Sequence, residues 1–90
     1  MNDPVALRKY VREVLGLAKD RQFTERMVFD GVERLTRDPL TVDELKTALN
    51  WNESKGYISS TPDEDAAMPG HPAPLLWTLT KEGRAKEGLA

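Results

Sequence analysis

The chain has no cysteine, so it carries no disulfide framework and no thiolate metal site. Its single histidine, His71, cannot build a metal site alone, and no metal or cofactor is expected. Long apolar runs are also missing. The first apolar segment is broken by Arg8, Lys9, Arg12 and Glu13, so neither a signal peptide nor a membrane span is expected, which points to the cytoplasm. No Gly-rich phosphate loop occurs. No Ser-His-Asp or Cys-His set has plausible partners: His71 sits between Gly70 and Pro72, a poor place to hold a base. The carboxylates are scattered rather than paired, so catalysis is not expected. Finally, the chain lacks net positive charge. Its balance is −2, with a pI near 5.4. DNA-binding domains often have a basic face and a pI above about 9.

What is present reads as one domain, 1–90, with no internal repeat. A chain this short buries only ~60–65% of its unfolded surface, so the core is small and dimerisation would help it. Charge is unevenly distributed. Residues 1–21 carry five basic and three acidic side chains. Residues 61–74 carry Asp63, Glu64 and Asp65 and no Lys or Arg.

Asp3-Pro4 opens a helix, the aspartate as cap and the proline at the first helical position. Leu7, Tyr10, Val11, Val14 and Ala18 recur at helical spacing and predict a helix over about 4–19, weakened by Gly16 near its end. Thr24 caps a second helix with Val28, Val32 and Leu35 on one face. Gly31, in mid-helix, implies a closely approaching backbone. Asp38-Pro39 stops it. Thr41-Val42-Asp43-Glu44 is a capping box, with Leu40 and Leu45 as its hydrophobic staple. The third helix spans about 42–55, buries Leu45, Ala48 and Leu49, and stops at Gly56. Tyr57–Ser59 and Leu75–Leu79 read as strands. Pro62, Pro69, Pro72, Pro74 and Gly70 make 61–74 a mobile loop between them. Thr80 caps a short last helix running to about Glu87.

Leu49, Gly56-Tyr57-Ile58 and Leu79-Thr80-x-x-Gly83-Arg84 resemble winged-helix proteins of the MarR and PadR sort over residues 40–87. The resemblance implies a mainly α winged helix-turn-helix: three helices, a two-stranded antiparallel wing, and a short C-terminal helix against the first. Two features depart from it. Such families usually place leucine where this chain has Asn52, and a buried Asn must find partners or cost ~1–3 kcal/mol. The wing tip, commonly basic, is here Asp63-Glu64-Asp65.

Counting 100° per residue, Asp43, Lys46, Thr47, Asn50 and Ser54 point away from the core stripe. On a reading helix, Asn50 would pair with adenine, Lys46 with guanine or phosphate, and Thr47 with a thymine methyl. The plain alternative is a solvated helix face of net charge −1. Arg8, Lys9, Arg12, Lys19, Arg21 and Arg26 form the best basic cluster, either a solvated face or a flank for the DNA backbone. Arg8 and Arg12 are the phosphate candidates within it. The family pattern gives Arg84 a phosphate or structural role, with Lys81 and Lys86 nearby. Trp51 is either a half-buried cover for the wing or an anchor for a protein partner or second subunit. Trp77 is expected to pack in the core, alternating with Leu75 and Leu79 on one face of its strand. Two functions follow: a double-stranded-DNA-binding regulator with the third helix in the major groove, or a winged-helix protein-interaction module without DNA binding. The fold analogy favours the first and the acidic charge favours the second.

Overall fold

The computed structural model describes residues 2–18 and 21–89. Along them run α1 (Pro4–Leu15), β1 (Phe23–Thr24), α2 (Glu25–Thr36), α3 (Val42–Ser54), β2 (Ile58–Pro62), β3 (Leu75–Leu79) and α4 (Lys81–Lys86). A single 3-10 turn, Glu64–Ala66, lies between β2 and β3. Together these make a small α+β domain of four α-helices and one three-stranded antiparallel sheet among the described residues. None of these helices is long and apolar enough to cross a membrane.

Local chemistry sets most helix starts. Asp3 accepts from the Val5 N–H, with Pro4 at the first helical position. Thr24 accepts from Met27, and Thr80 from Gly83. The Thr41–Glu44 capping box is complete in both directions. The ends are less regular. Helix α1 stops at Leu15, not near 19, with Gly16 as its C-cap; Lys19 lies outside the described residues. Helix α2 ends before Asp38-Pro39, because Arg37 takes a left-handed φ of 62°. That conformation is uncommon for a residue with a Cβ.

The core joins Leu7, Val11, Val14 and Leu15 of α1 to Val28 and Val32 of α2 and Leu45, Ala48 and Leu49 of α3. Phe23, Leu40, Ile58 and Trp77 close it. Gly31 faces a close neighbour, but a side chain: an added Cβ would lie 2.9 Å from both Val14 methyls. Leu35 does not join the stripe and is 42% exposed, since α2 runs past the core at that end.

The sheet has one strand more than the expected two. Phe23 and Thr24 pair with Trp77 and Leu76, giving the order β1-β3-β2. Trp77 thus lies on the central strand and is buried, whereas Leu75 at the loop end is 41% exposed. Strand β2 also runs further than expected, with Thr61 opposite Leu76 and Pro62 opposite Leu75. Proline is tolerated there because β2 is an edge strand and Pro62 its last residue. The connecting loop is therefore 63–74, and the Asp63 N–H donates to the Pro74 carbonyl at 2.7 Å where the strands part.

Candidate functional site

Burying Leu45, Ala48, Leu49 and Asn52 turns the opposite face of α3 to solvent. Asp43, Lys46, Thr47, Asn50 and Ser54 are all exposed there. Two of the five are already bonded to their own helix: Thr47 donates to the Asp43 carbonyl at 2.9 Å and Ser54 to the Trp51 carbonyl at 2.7 Å. Lys46 and Asn50 have no side-chain partner among the described residues. The start of this face is fixed by Glu44, whose carboxylate accepts from the Thr41 N–H at 3.0 Å and the Asn2 N–H at 3.2 Å. These backbone donors, Thr41 first, hold its pKa below the ordinary carboxylate value, against a smaller opposing effect of burial. Asn2 also donates to the Pro39 carbonyl at 3.0 Å, which draws the start of α1 against the start of α3. A groove of about 620 Å³ runs between them, lined by Pro4, Leu7 and Ala48 with Arg8, Asp43 and Glu44 among its charged residues.

The basic candidates divide sharply. Arg12 does not reach solvent as a phosphate ligand would: it is 7% exposed and committed inside the domain. Its Nε donates to Glu87 Oε2 at 3.0 Å and its Nη1 to Asn52 Oδ1 at 2.9 Å. Asn52 is fully buried, and its Nδ2 donates to the Ala48 and Arg8 carbonyls at 2.9 and 3.1 Å. The Asn in the leucine position is thus satisfied at every polar atom, and its network ties α1, α3 and the end of α4 together. Lys9 lies 3.3 Å from Glu13, and Arg26 lies 3.3 Å from Asp30. Arg84 donates to the Leu89 carbonyl at 2.9 Å, a structural contact that pins the C-terminal residues. Arg21 is exposed.

Arg8 is different. Its guanidinium lies over the Trp51 ring, 4.5 Å from the centroid. Lys55 approaches the same ring at 5.7 Å. Trp51 and Tyr57 are neighbours, with centroids 6.0 Å apart. Lys86 stands 5.9 Å from the Tyr57 ring, and Arg12 stands 5.5 Å from it. Trp51 is half-buried against Tyr57, at the start of the wing, with Arg8 and Lys55 over its ring. Lys55, Tyr57 and Lys86 were not among the expected site residues. The Trp51-x-x-x-Lys55 spacing was a readable signal, since residues four apart share a helix face. Lys86 was legible only as a neighbour of Arg84, because α4 reaches Tyr57 only through the tertiary fold. Comparison with protein-family models, curated proteins and solved structures finds no match to this chain.

Proposed function

We propose that this is a winged-helix module that binds double-stranded DNA, with α3 in the major groove and a regulatory role in transcription. The observation that carries the reading is the exposed, unbonded pair Lys46 and Asn50 on one helix face. Thr47 and Ser54 flank them with hydroxyls turned back onto the helix. Both residue types read base edges: Asn pairs with adenine, and Lys reaches guanine. The helix–strand–helix–helix–strand–strand order, with β1 beside β3, supports the winged-helix assignment.

The test is an anisotropy titration against pooled duplexes at low and moderate salt, followed by selection of a preferred site. Binding at low salt that weakens as salt rises is expected. On the selected site, Lys46→Ala and Asn50→Ala should each lose ~1–3 kcal/mol. No binding to any duplex at low salt overturns the reading. The second reading, a protein-interaction module, is favoured by the acidic tip at Asp63, Glu64 and Asp65. The mostly apolar groove between α1 and α3 also suits it. Neither feature suits a phosphate backbone.

A further inference from the structure

We infer that Arg8, Lys55 and Lys86, held on Trp51 and Tyr57, form a clamp for the phosphodiester backbone. The duplex then lies against α1, the end of α3 and α4, and not against the wing. The inference rests on the DNA-binding reading above and names the surface that reading lacks.

Lys9, Arg12 and Arg26 have carboxylate partners, and Arg84 is tied to the Leu89 carbonyl. Arg8, Lys55 and Lys86 have no carboxylate or carbonyl partner among the described residues. Yet they converge on two touching aromatic rings, from three different elements. Arg8 and Lys55 share the Trp51 ring and Lys86 stands on the neighbouring Tyr57 ring, so three cations without a carboxylate partner among the described residues flank one aromatic pair. An anion that bridges the pair would meet all three.

The geometry favours phosphate as the anion. A guanidinium presents a planar fork of N–H donors that matches two phosphate oxygens. The two lysines are flexible point charges that follow a backbone. The cluster also adjoins the reading face. Trp51 and Lys55 each follow a solvent-facing residue of α3, Asn50 and Ser54, by one position, and so stand on the flank about 100° round the helix from the reading face. On the proposed reading, a duplex seated on Asn50 would meet that flank with its backbone rather than its bases. An acidic peptide is the competing anion. Poly-glutamate distinguishes it from a duplex.

The wing then ceases to be an obstacle. Tyr57 stands at the base of β2 and Asp63 just past its end. At ~3.3 Å per residue these are roughly 20 Å apart. The acidic tip is thus held away from the clamp, about two Debye lengths at ordinary salt.

The experiment uses the full chain and a random-sequence duplex, with affinity measured against salt. Arg8→Gln, Lys55→Gln and Lys86→Gln are compared with wild type, each checked for unchanged circular dichroism. Each variant should bind several-fold more weakly on every sequence, and each should reduce the slope of log affinity against log salt by about 1. Asp63→Asn with Glu64→Gln and Asp65→Asn should change affinity by less than about twofold, because the tip lies beyond the screening length. Wild-type binding with unaltered affinity and slope in the three glutamine variants overturns the clamp and leaves DNA binding standing. Much tighter binding by the neutralised wing also overturns it, by placing the duplex on the wing. Absence of any duplex binding at low salt removes both inferences. Binding of poly-glutamate, released by Lys55→Gln, would then assign the cluster to an acidic protein partner.

Discussion

At Gly83 two ordinary effects act in opposite directions. It is a residue of α4, where replacing glycine by alanine stabilises a helix by about 1 kcal/mol. A methyl group there, however, would fall well inside the contact distance of the Tyr57 carbonyl oxygen. It would also lie 2.9 Å from the Tyr57 carbonyl carbon and 2.7 Å from Leu79 Cδ1. The leucine tip can rotate aside, but the carbonyl cannot. Tyr57 is held on both sides: its N–H donates to the Asn52 carbonyl and its carbonyl accepts from the Thr80 N–H, each at 3.0 Å. Thr80 also donates its hydroxyl to the Gly56 carbonyl. Helix α4 must therefore move outward by roughly an ångström to restore normal contact distances. That movement stretches the bonds from Thr80 to Tyr57 and Gly56. Overpacking costs ~1–3 kcal/mol, and two weakened hydrogen bonds add about 0.5–1.5 kcal/mol each. The clash outweighs the propensity gain, and Gly83→Ala should destabilise the domain by about 1–5 kcal/mol. Gly83→Val should lose more. For a chain of this size, each kcal/mol lowers Tm by about 4–8 °C. Urea unfolding followed by far-UV circular dichroism measures the effect, with Ala85→Gly on the exposed side of α4 setting the propensity scale. A midpoint raised by Gly83→Ala would refute the close packing of α4 on Tyr57.

Two further outcomes follow from the polar contacts. Asn52→Leu installs the residue that the family resemblance leads one to expect, yet it takes from buried Arg12 an acceptor at 2.9 Å. It should lose ~1–3 kcal/mol in urea, and adding Arg12→Met with Glu87→Leu should recover most of that. A single variant as stable as wild type would show that the network contributes nothing. Glu44 governs a pH dependence. Its folded pKa is lowered, with backbone donation from Thr41 the largest cause, so its contribution is present above its unfolded value near 4.5 and fades as pH falls below it. The urea midpoint of Glu44→Gln should therefore lie below wild type at pH 7, and the gap should narrow as pH falls through the lowered folded value. A gap that persists in acid would mean the carboxylate charge is not what holds Asn2 and Thr41.

The sequence disclosed most where the deciding contacts are local. Asp3, Thr24, Thr41 and Thr80 each bond within three residues, so each helix start could be read directly. The two-residue strand β1 could not. Phe23 and Thr24 carry no alternation, and they become a strand only because Trp77 and Leu76, more than fifty residues on, lie beside them. Pro62 was misjudged because whether proline fits a ladder depends on whether its strand lies at an edge, which is a property of the whole sheet. Arg37 was invisible as a helix end because left-handed backbone at a non-glycine residue leaves no compositional mark. Arg12 was assigned to solvent by its charge. The counter-signal was Asn52: a polar residue in an apolar position demands buried partners, and the first helix supplies one.

That burial also bears on the proposed interface. Arg8 belongs to α1, Lys55 caps α3, and Lys86 ends α4. Three separate elements would ordinarily have to be ordered together before their charges could meet one backbone. Arg12, Asn52 and Glu87 already join those same elements at distances of 2.9 and 3.0 Å, with both charged side chains only 8% exposed. On the proposed reading, the placement of the three elements is set when the chain folds, and binding orders only side-chain ends, for each of which an aromatic ring restricts the choices. Preorganisation of this kind raises affinity by lowering what must be ordered on binding, not by adding contacts. It explains how a chain of net charge −2 can still hold a polyanion. The overall field is weakly unfavourable, but it is screened beyond about 8–10 Å at ordinary salt, whereas contacts at hydrogen-bonding range are not. On that reading Arg12 would act on DNA without touching it, as the buried charge that positions Arg8, Lys55 and Lys86.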